Sequence, residues 1–125
     1  MENPIYFEKR LLKPYAVSVK SESLTVGDVY YKVSFADQEM TIPIMLTVIF
    51  AGKDLDEGDN GIYYFQDYDS YQEGERYGID DSLKHAVFYT CGDRELGGVY
   101  QFEDALDILL HCSLIRDKKK AQEQQ

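Results

Sequence analysis

The sequence predicts one α+β domain, with a mostly antiparallel sheet of about five strands and a single amphipathic helix at the C-terminal end. Apolar residues alternate with a period of two early in the chain, hairpin-length connections separate such segments, and the period becomes helical from Phe102 onward. Leu, Ile, Val and Phe make up 33 of the 125 residues, enough for one buried core. We therefore expect residues 1–125 to form a single domain.

The two clearest strands lie in the first half of the chain. Residues 29–35 alternate between apolar and more polar side chains, as in a strand with one buried face. The run 42–50 is apolar at nearly every position, which predicts a central strand covered on both faces, with Pro43 near its start. Residues 36–39 have the composition of a hairpin connection between them.

Three further segments complete the predicted sheet. Asn60 and Gly61 form a dipeptide typical of a type I′ turn, and residues 62–66 after it are expected to pair back on the central strand. Shorter apolar segments at residues 15–19 and 86–91 predict two more strands. Such a sheet could stay open or curl into a small SH3-like barrel, and the sequence pattern favours neither.

The C-terminal helix is predicted to start at Phe102 and to run for about 15 to 19 residues. Acidic residues in its first turn and Lys118–Lys120 in its last turn both suit the helix dipole. Residues 121–125 are expected to fray, and a short helix could form near residues 6–12. The predicted apolar face consists of Phe102, Ala105, Leu106, Leu109, Leu110, Ser113 and Leu114.

The net charge of −10 is concentrated in residues 54–81, which hold ten carboxylates and one arginine. Nucleic acids and anionic membranes both attract positive proteins, so neither is an expected partner, whereas a basic protein suits the sign. The sequence shows neither a secretory signal pattern nor about 18 consecutive apolar residues, so we expect a cytoplasmic protein. Cys91 and Cys112 are then expected to be reduced thiols.

Patterns that could carry chemistry are incomplete. Residues 56–67 have oxygen ligands at positions 1, 5 and 12 of a calcium loop, but lack the acid at position 3 and the final Glu. We therefore expect an acidic hairpin loop there and no metal site. The acidic residues lie among polar residues and glycines, where no apolar pocket would raise the pKa of a general acid. The thiols and imidazoles are not spaced as a catalytic dyad, so we expect no enzyme activity and no cofactor.

Residues 63–77 are both aromatic and acidic, with five of the eleven tyrosines and four carboxylates. Tyrosine supplies rigid contact area, and carboxylates around it would select a Lys- or Arg-rich partner. In the competing interpretation, these tyrosines belong to the core or merely cap the domain. We predict a small non-catalytic binding protein that engages a basic protein, comparable in charge and size to an inhibitor, an immunity-type protein, a nucleic-acid mimic or a chaperone.

The residues predicted to contact that partner extend across the acidic segment. They are Asp54, Asp56, Glu57, Asp59, Tyr68, Asp69, Tyr71, Glu73, Glu75 and Tyr77. Two alternatives use the same residues: a metal-dependent domain or enzyme built on the carboxylates, and a homo-oligomeric subunit whose exposed tyrosines pair with a second copy.

Overall fold

The structure is a computed structural model that describes residues 3–6, 10–14 and 17–123. Its strands form one antiparallel sheet in the order β4-β3-β2-β1-β5, which does not close into a barrel. The predicted α+β class is thus confirmed, in its open form. The elements are β1 (Val29–Phe35), β2 (Pro43–Lys53), β3 (Tyr63–Asp67), α1 (Tyr68–Gln72), β4 (Phe88–Cys91), β5 (Val99–Tyr100) and α2 (Phe102–Glu123).

The central strand β2 is covered on both faces only in its second half. Val48 is 0% exposed, and Ile49 and Phe50 are also buried. In the first half, Met45 is 47% exposed and Ile44 is 45% exposed. The expectation of cover along the whole apolar run is therefore wrong: β3 does not flank the first half, and neither core cluster includes a side chain from residues 43–47.

The β2–β3 connection differs from the predicted type I′ turn. That turn needs positive φ at both central residues, and Gly61 has it, at 77°, but Asn60 does not. The strands instead separate at Asp54, which has a φ of 54° and whose carboxylate Oδ1 accepts a hydrogen bond from the Ile62 N–H at 2.8 Å. Residues 54–62 therefore form a longer loop that its own acidic side chains hold together.

The large core lies on one face of the sheet. Phe65 is at its centre, with the Phe50 ring 5.4 Å away and the Tyr30 ring 6.4 Å away between centroids. A 3₁₀ segment at residues 93–98 connects β4 to β5 and contributes buried Leu96 to this core. The other members are Val19, Val48, Tyr63 and Val99.

Helix α2 packs on the opposite face of the sheet, through Ala105 and Ile108 against Val33. Asp107 is also buried, because Arg10 donates a hydrogen bond from Nε to its Oδ1 at 2.6 Å. Leu114, a member of the predicted apolar face, is exposed. The face that packs is therefore rotated relative to the predicted one.

The remaining predicted elements differ in extent. Residues 15 and 16 of the first predicted strand lie outside the described residues, and residues 17–19 form no strand, although the Val19 N–H donates to the Val99 carbonyl. Of the suggested helix near residues 6–12, residues 7–9 are outside the described part and 10–12 are not helical. Helix α2 has 22 residues, longer than the predicted 15 to 19, and residues 124 and 125 of the predicted tail lie outside the described residues. Within the described ranges, no helix combines the length and hydropathy needed to cross a bilayer.

Candidate functional site

The ten predicted contact residues separate into three groups around the short strand β3. One group lies in the loop before it, a second on α1 and the turn after it, and a third is packed inside. The loop group is Asp54, Asp56, Glu57 and Asp59; the helix group is Tyr68, Asp69, Tyr71 and Glu73; the third group is buried Glu75 and half-buried Tyr77. Because β3 separates the first two groups, they form no single continuous patch.

In the loop group, three of the four carboxylates hold the chain in its turn. Asp56 accepts from the Glu57 N–H at 3.0 Å, and Asp59 accepts from the Asp56 N–H at 3.0 Å. Asp59 also accepts from the Tyr64 hydroxyl, which raises the pKa of that phenol. Only Glu57 has no side-chain hydrogen bond within the described part of the chain, so the loop is mainly a structural feature.

These inward contacts predict weak calcium binding. An ion would have to take carboxylate oxygens away from backbone N–H groups, and the loop leads directly into a strand instead of a helix. We expect a dissociation constant weaker than about 10⁻⁵ M, the loose end of the sensor range. Isothermal titration calorimetry with calcium would measure it, and a tighter constant that Asp56→Asn abolishes would contradict the prediction.

Helix α1 begins because Asp67 caps it. The Asp67 carboxylate accepts from the Ser70 N–H at 3.0 Å, and also from the Val87 N–H at 2.8 Å, which ties the start of the helix to the segment before β4. Partial burial acts to raise the pKa of Asp67, but hydrogen bonds from Ser70 and Val87 outweigh it and hold the pKa below its usual range. Asp67 is therefore a fixed negative charge beside α1.

Glu75 is an internal anchor and not a surface charge. Its side chain is buried, and Oε1 accepts hydrogen bonds from the N–H groups of Lys84, His85 and Ala86 at 2.6, 2.9 and 3.0 Å. Buried Gln66 lies beside it and donates from Nε2 to the Glu75 carbonyl at 2.9 Å. Glu75, which was predicted to contact the partner, thus holds the loop between α1 and β4.

Tyr77 and Tyr71 are also committed to internal contacts. The Tyr77 ring lies between Tyr64, 4.8 Å away, and Phe88, 5.2 Å away. Over the half-buried Tyr71 ring, the guanidinium of Arg76 stacks at 3.5 Å from the centroid. The single arginine of residues 54–81 therefore contacts a tyrosine of the same segment.

Tyr68 and Asp69, by contrast, are exposed beside a groove along the first half of β2. The groove has a volume of about 660 Å³ and contains two carboxylates and no basic side chain. Its lining residues are Val29, Tyr31, Met45, Leu46, Thr47, Asp67, Tyr68 and Asp69. We call this feature the β2 groove; it is where the predicted segment meets exposed apolar residues.

Sequence reasoning missed the contribution of β2 to this site. It treated residues 42–50 as buried, although the predicted partner strand spans only residues 62–66. That difference in strand length was the signal that part of β2 would lack a neighbour.

The thiols and imidazoles stay apart from the β2 groove. Cys112 is buried on α2, and next to it His111 contacts the Lys13 carbonyl through Nε2. Among the residues that the structure describes, no three His, Cys, Asp or Glu side chains are grouped so that they could hold a metal ion. Comparison of the chain with protein families, with curated proteins and with solved structures found no match.

Proposed function

We propose that this chain is a small acidic, non-catalytic binding protein that engages a basic protein partner. The observation that carries the proposal is the β2 groove, where exposed Tyr68 and Asp69 stand beside the apolar side chains of β2. Interfaces combine such aromatic and aliphatic contact area with charged residues at the rim. Because the groove contains carboxylates and no basic group, it favours a partner that presents Lys or Arg.

The surrounding charge supports the same sign of partner. Residues 54–81 have a net charge of −9, and the only arginine among them stacks on Tyr71. The resulting negative potential would speed the approach of a basic protein. The apolar groove would then determine how long that partner stays bound.

Capture from host lysate tests this function, with the full chain immobilised and the bound proteins identified by mass spectrometry. We expect a basic protein to be retained at low salt and much less of it at about 0.15 M salt, where exposed charges are screened beyond about 8 Å. The double variant Tyr68→Ala, Asp69→Asn should reduce its retention by about tenfold, because it removes contact area and charge together.

The matched control is Glu123→Gln, which removes one exposed carboxylate from the last turn of α2. Retention by this variant should equal that of the wild type. Capture of acidic proteins only, or equal retention by the double variant and the control, contradicts the proposed function.

A further inference from the structure

Strand β2 has a free edge along its first five residues. On one side, β1 pairs with β2 from Pro43 to Ile49. On the other side, β3 pairs only from Val48 onward, because β3 turns into α1 directly after Asp67. Residues 43–47 therefore have a strand neighbour on one side only.

The backbone groups that face this edge follow from the antiparallel ladder. The Ala36 N–H donates to the Ile42 carbonyl at 2.9 Å, and the Phe50 N–H donates to the Asp28 carbonyl at 3.1 Å. Even-numbered residues of this stretch thus direct their backbone groups toward β1, and odd-numbered ones direct them away. Met45 consequently offers both N–H and C=O to the free side, and Pro43 offers only C=O. Thr47 offers its N–H alone, because the pairing of Val48 with Asp67 engages the Thr47 C=O with the Tyr68 N–H.

The side chains along this edge are unusually apolar for an unpaired strand. Ile44 and Leu46 point to one face and Met45 to the other, and all three are exposed. Edge strands are ordinarily protected by charges, bulges or a covering element, and an exposed apolar edge is a template for another strand. Pro43 blocks its beginning, so the open template is centred on Met45 and Thr47.

At the Thr47 end of the edge the charges favour a basic residue of an added strand, whereas Arg116, Asp117 and Lys120 lie at the Pro43 end. Asp67 and Asp69 line the groove at its Thr47 end, without a basic residue. Two copies paired through this edge would also bring together two segments that each carry a net charge of −9. An extended segment with Lys or Arg would instead neutralise the carboxylates.

We infer that the basic partner adds an extended strand to the free edge of β2, with hydrogen bonds to the backbone of Met45 and Thr47 and a Lys or Arg beside Asp69. This inference rests on the proposed function and specifies how the partner binds. Side chains of the added strand contact Ile44 and Leu46 on one face of the sheet and Met45 on the other.

The probe is a heptapeptide of alternating lysine and valine, titrated into the ¹⁵N-labelled full chain by NMR. We expect saturable shifts at the Met45 and Thr47 amides below about 1 mM peptide. A heptapeptide with glutamate in place of lysine, and a lysine peptide N-methylated on its five inner amides, should each bind about tenfold or more weakly. Equal binding of the N-methylated peptide, or no saturable shift with the lysine peptide, overturns strand addition.

Variants of the protein test the same backbone contact by changing Met45 instead of the peptide. Met45→Pro removes an N–H on the free side and leaves the bonds to β1, so it should weaken peptide binding by about tenfold. Met45→Leu keeps the N–H and the apolar side chain, and its affinity should stay within about twofold of the wild type. Equal peptide affinity of Met45→Pro and Met45→Leu overturns the inference. If Met45→Pro does not fold, the comparison of the lysine peptide with its N-methylated form tests strand addition instead.

Two further results separate this inference from the proposed function. If the partner captured from lysate is lost with Tyr68→Ala, Asp69→Asn but retained in full by a folded Met45→Pro, the protein binds a basic partner without strand addition. If analytical ultracentrifugation finds a dimer of the wild type that Met45→Pro dissociates, the occupant of the edge is a second copy, and the inferred basic strand is wrong.

Discussion

Replacing Phe65 with alanine is expected to lower the free energy of unfolding by about 3 to 5 kcal/mol. The Phe65 side chain is 1% exposed and contacts both Phe50 and Tyr30, so its removal leaves a cavity at the centre of the large core. Because β3 is only five residues long and lies between β2 and β4, neighbouring side chains can fill little of that space. A domain stable by about 5–15 kcal/mol would lose a large part of its stability.

Urea unfolding would measure this loss, followed by circular dichroism and by tyrosine fluorescence, since the chain has eleven tyrosines and no tryptophan. Phe102→Ala is the matched control, because it deletes the same atoms from a side chain that is 61% exposed. Phe102 makes an edge-to-face contact with Tyr31 at 5.8 Å, so the control should cost about 1 kcal/mol. Equal losses for the two variants would show that Phe65 is not central to the core.

The strands could be predicted because their side-chain patterns are local. The alternation over residues 29–35 and the apolar segment at 62–66 both report which face is buried, and the structure has strands at Val29–Phe35 and Tyr63–Asp67. The length of the neighbouring strand is not local information. For this reason, the apolar residues Ile44 and Met45 were expected to be covered, although β3 ends before it reaches them.

The face of α2 was predicted only in part: Ala105 belongs to the face that packs, but Ile108 and Cys112 are buried with it and Leu114 is exposed. The spacing of leucines placed Leu106 and Leu110 on the buried stripe, but both are only half-buried, whereas Asp107 and Ile108, outside the predicted face, are buried. Burial of Asp107 depends on Arg10, which is 97 positions earlier in the chain. Helical periodicity places an aspartate on the exposed face, because the pattern does not include a charged partner from a distant part of the chain.

Within the candidate site, composition identified the segment but not the role of each residue. A carboxylate counts equally toward the charge whether it faces solvent, as the exposed Asp69 does, or accepts three backbone N–H groups, as Glu75 does. The difference depends on how residues 84–86 return to α1, which no local pattern indicates. Because Glu75 holds that returning segment, we expect its substitution to have the second large effect on stability.

Glu75→Ala should lower the melting temperature by about 5 to 10 °C at pH 7. The change leaves the partly buried N–H groups of Lys84, His85 and Ala86 without their acceptor. It also deletes the side chain that connects the turn after α1 to the segment before β4. Glu75→Gln should cost less, because the amide oxygen can still accept these bonds while the charge is lost.

The pH dependence of this anchor has a definite sign. Hydrogen bonds from the N–H groups of Lys84 and His85 lower the pKa of Glu75 below its usual value of 4.5. The stabilisation is therefore fully present above pH 4.5 and is lost as the pH falls through the lower pKa of the folded state. Wild type should thus exceed Glu75→Gln in melting temperature by a constant margin at neutral pH, and the margin should shrink toward zero in acid.

Differential scanning calorimetry between about pH 3 and pH 7 would measure this margin, with Glu73→Gln as the control. Glu73 is exposed two positions away, so its substitution removes the same charge without touching the three N–H donors. Its melting temperature should follow that of the wild type at every pH. If Glu75→Gln also follows the wild type from neutral pH into acid, the ionised Glu75 carboxylate does not stabilise the loop between α1 and β4.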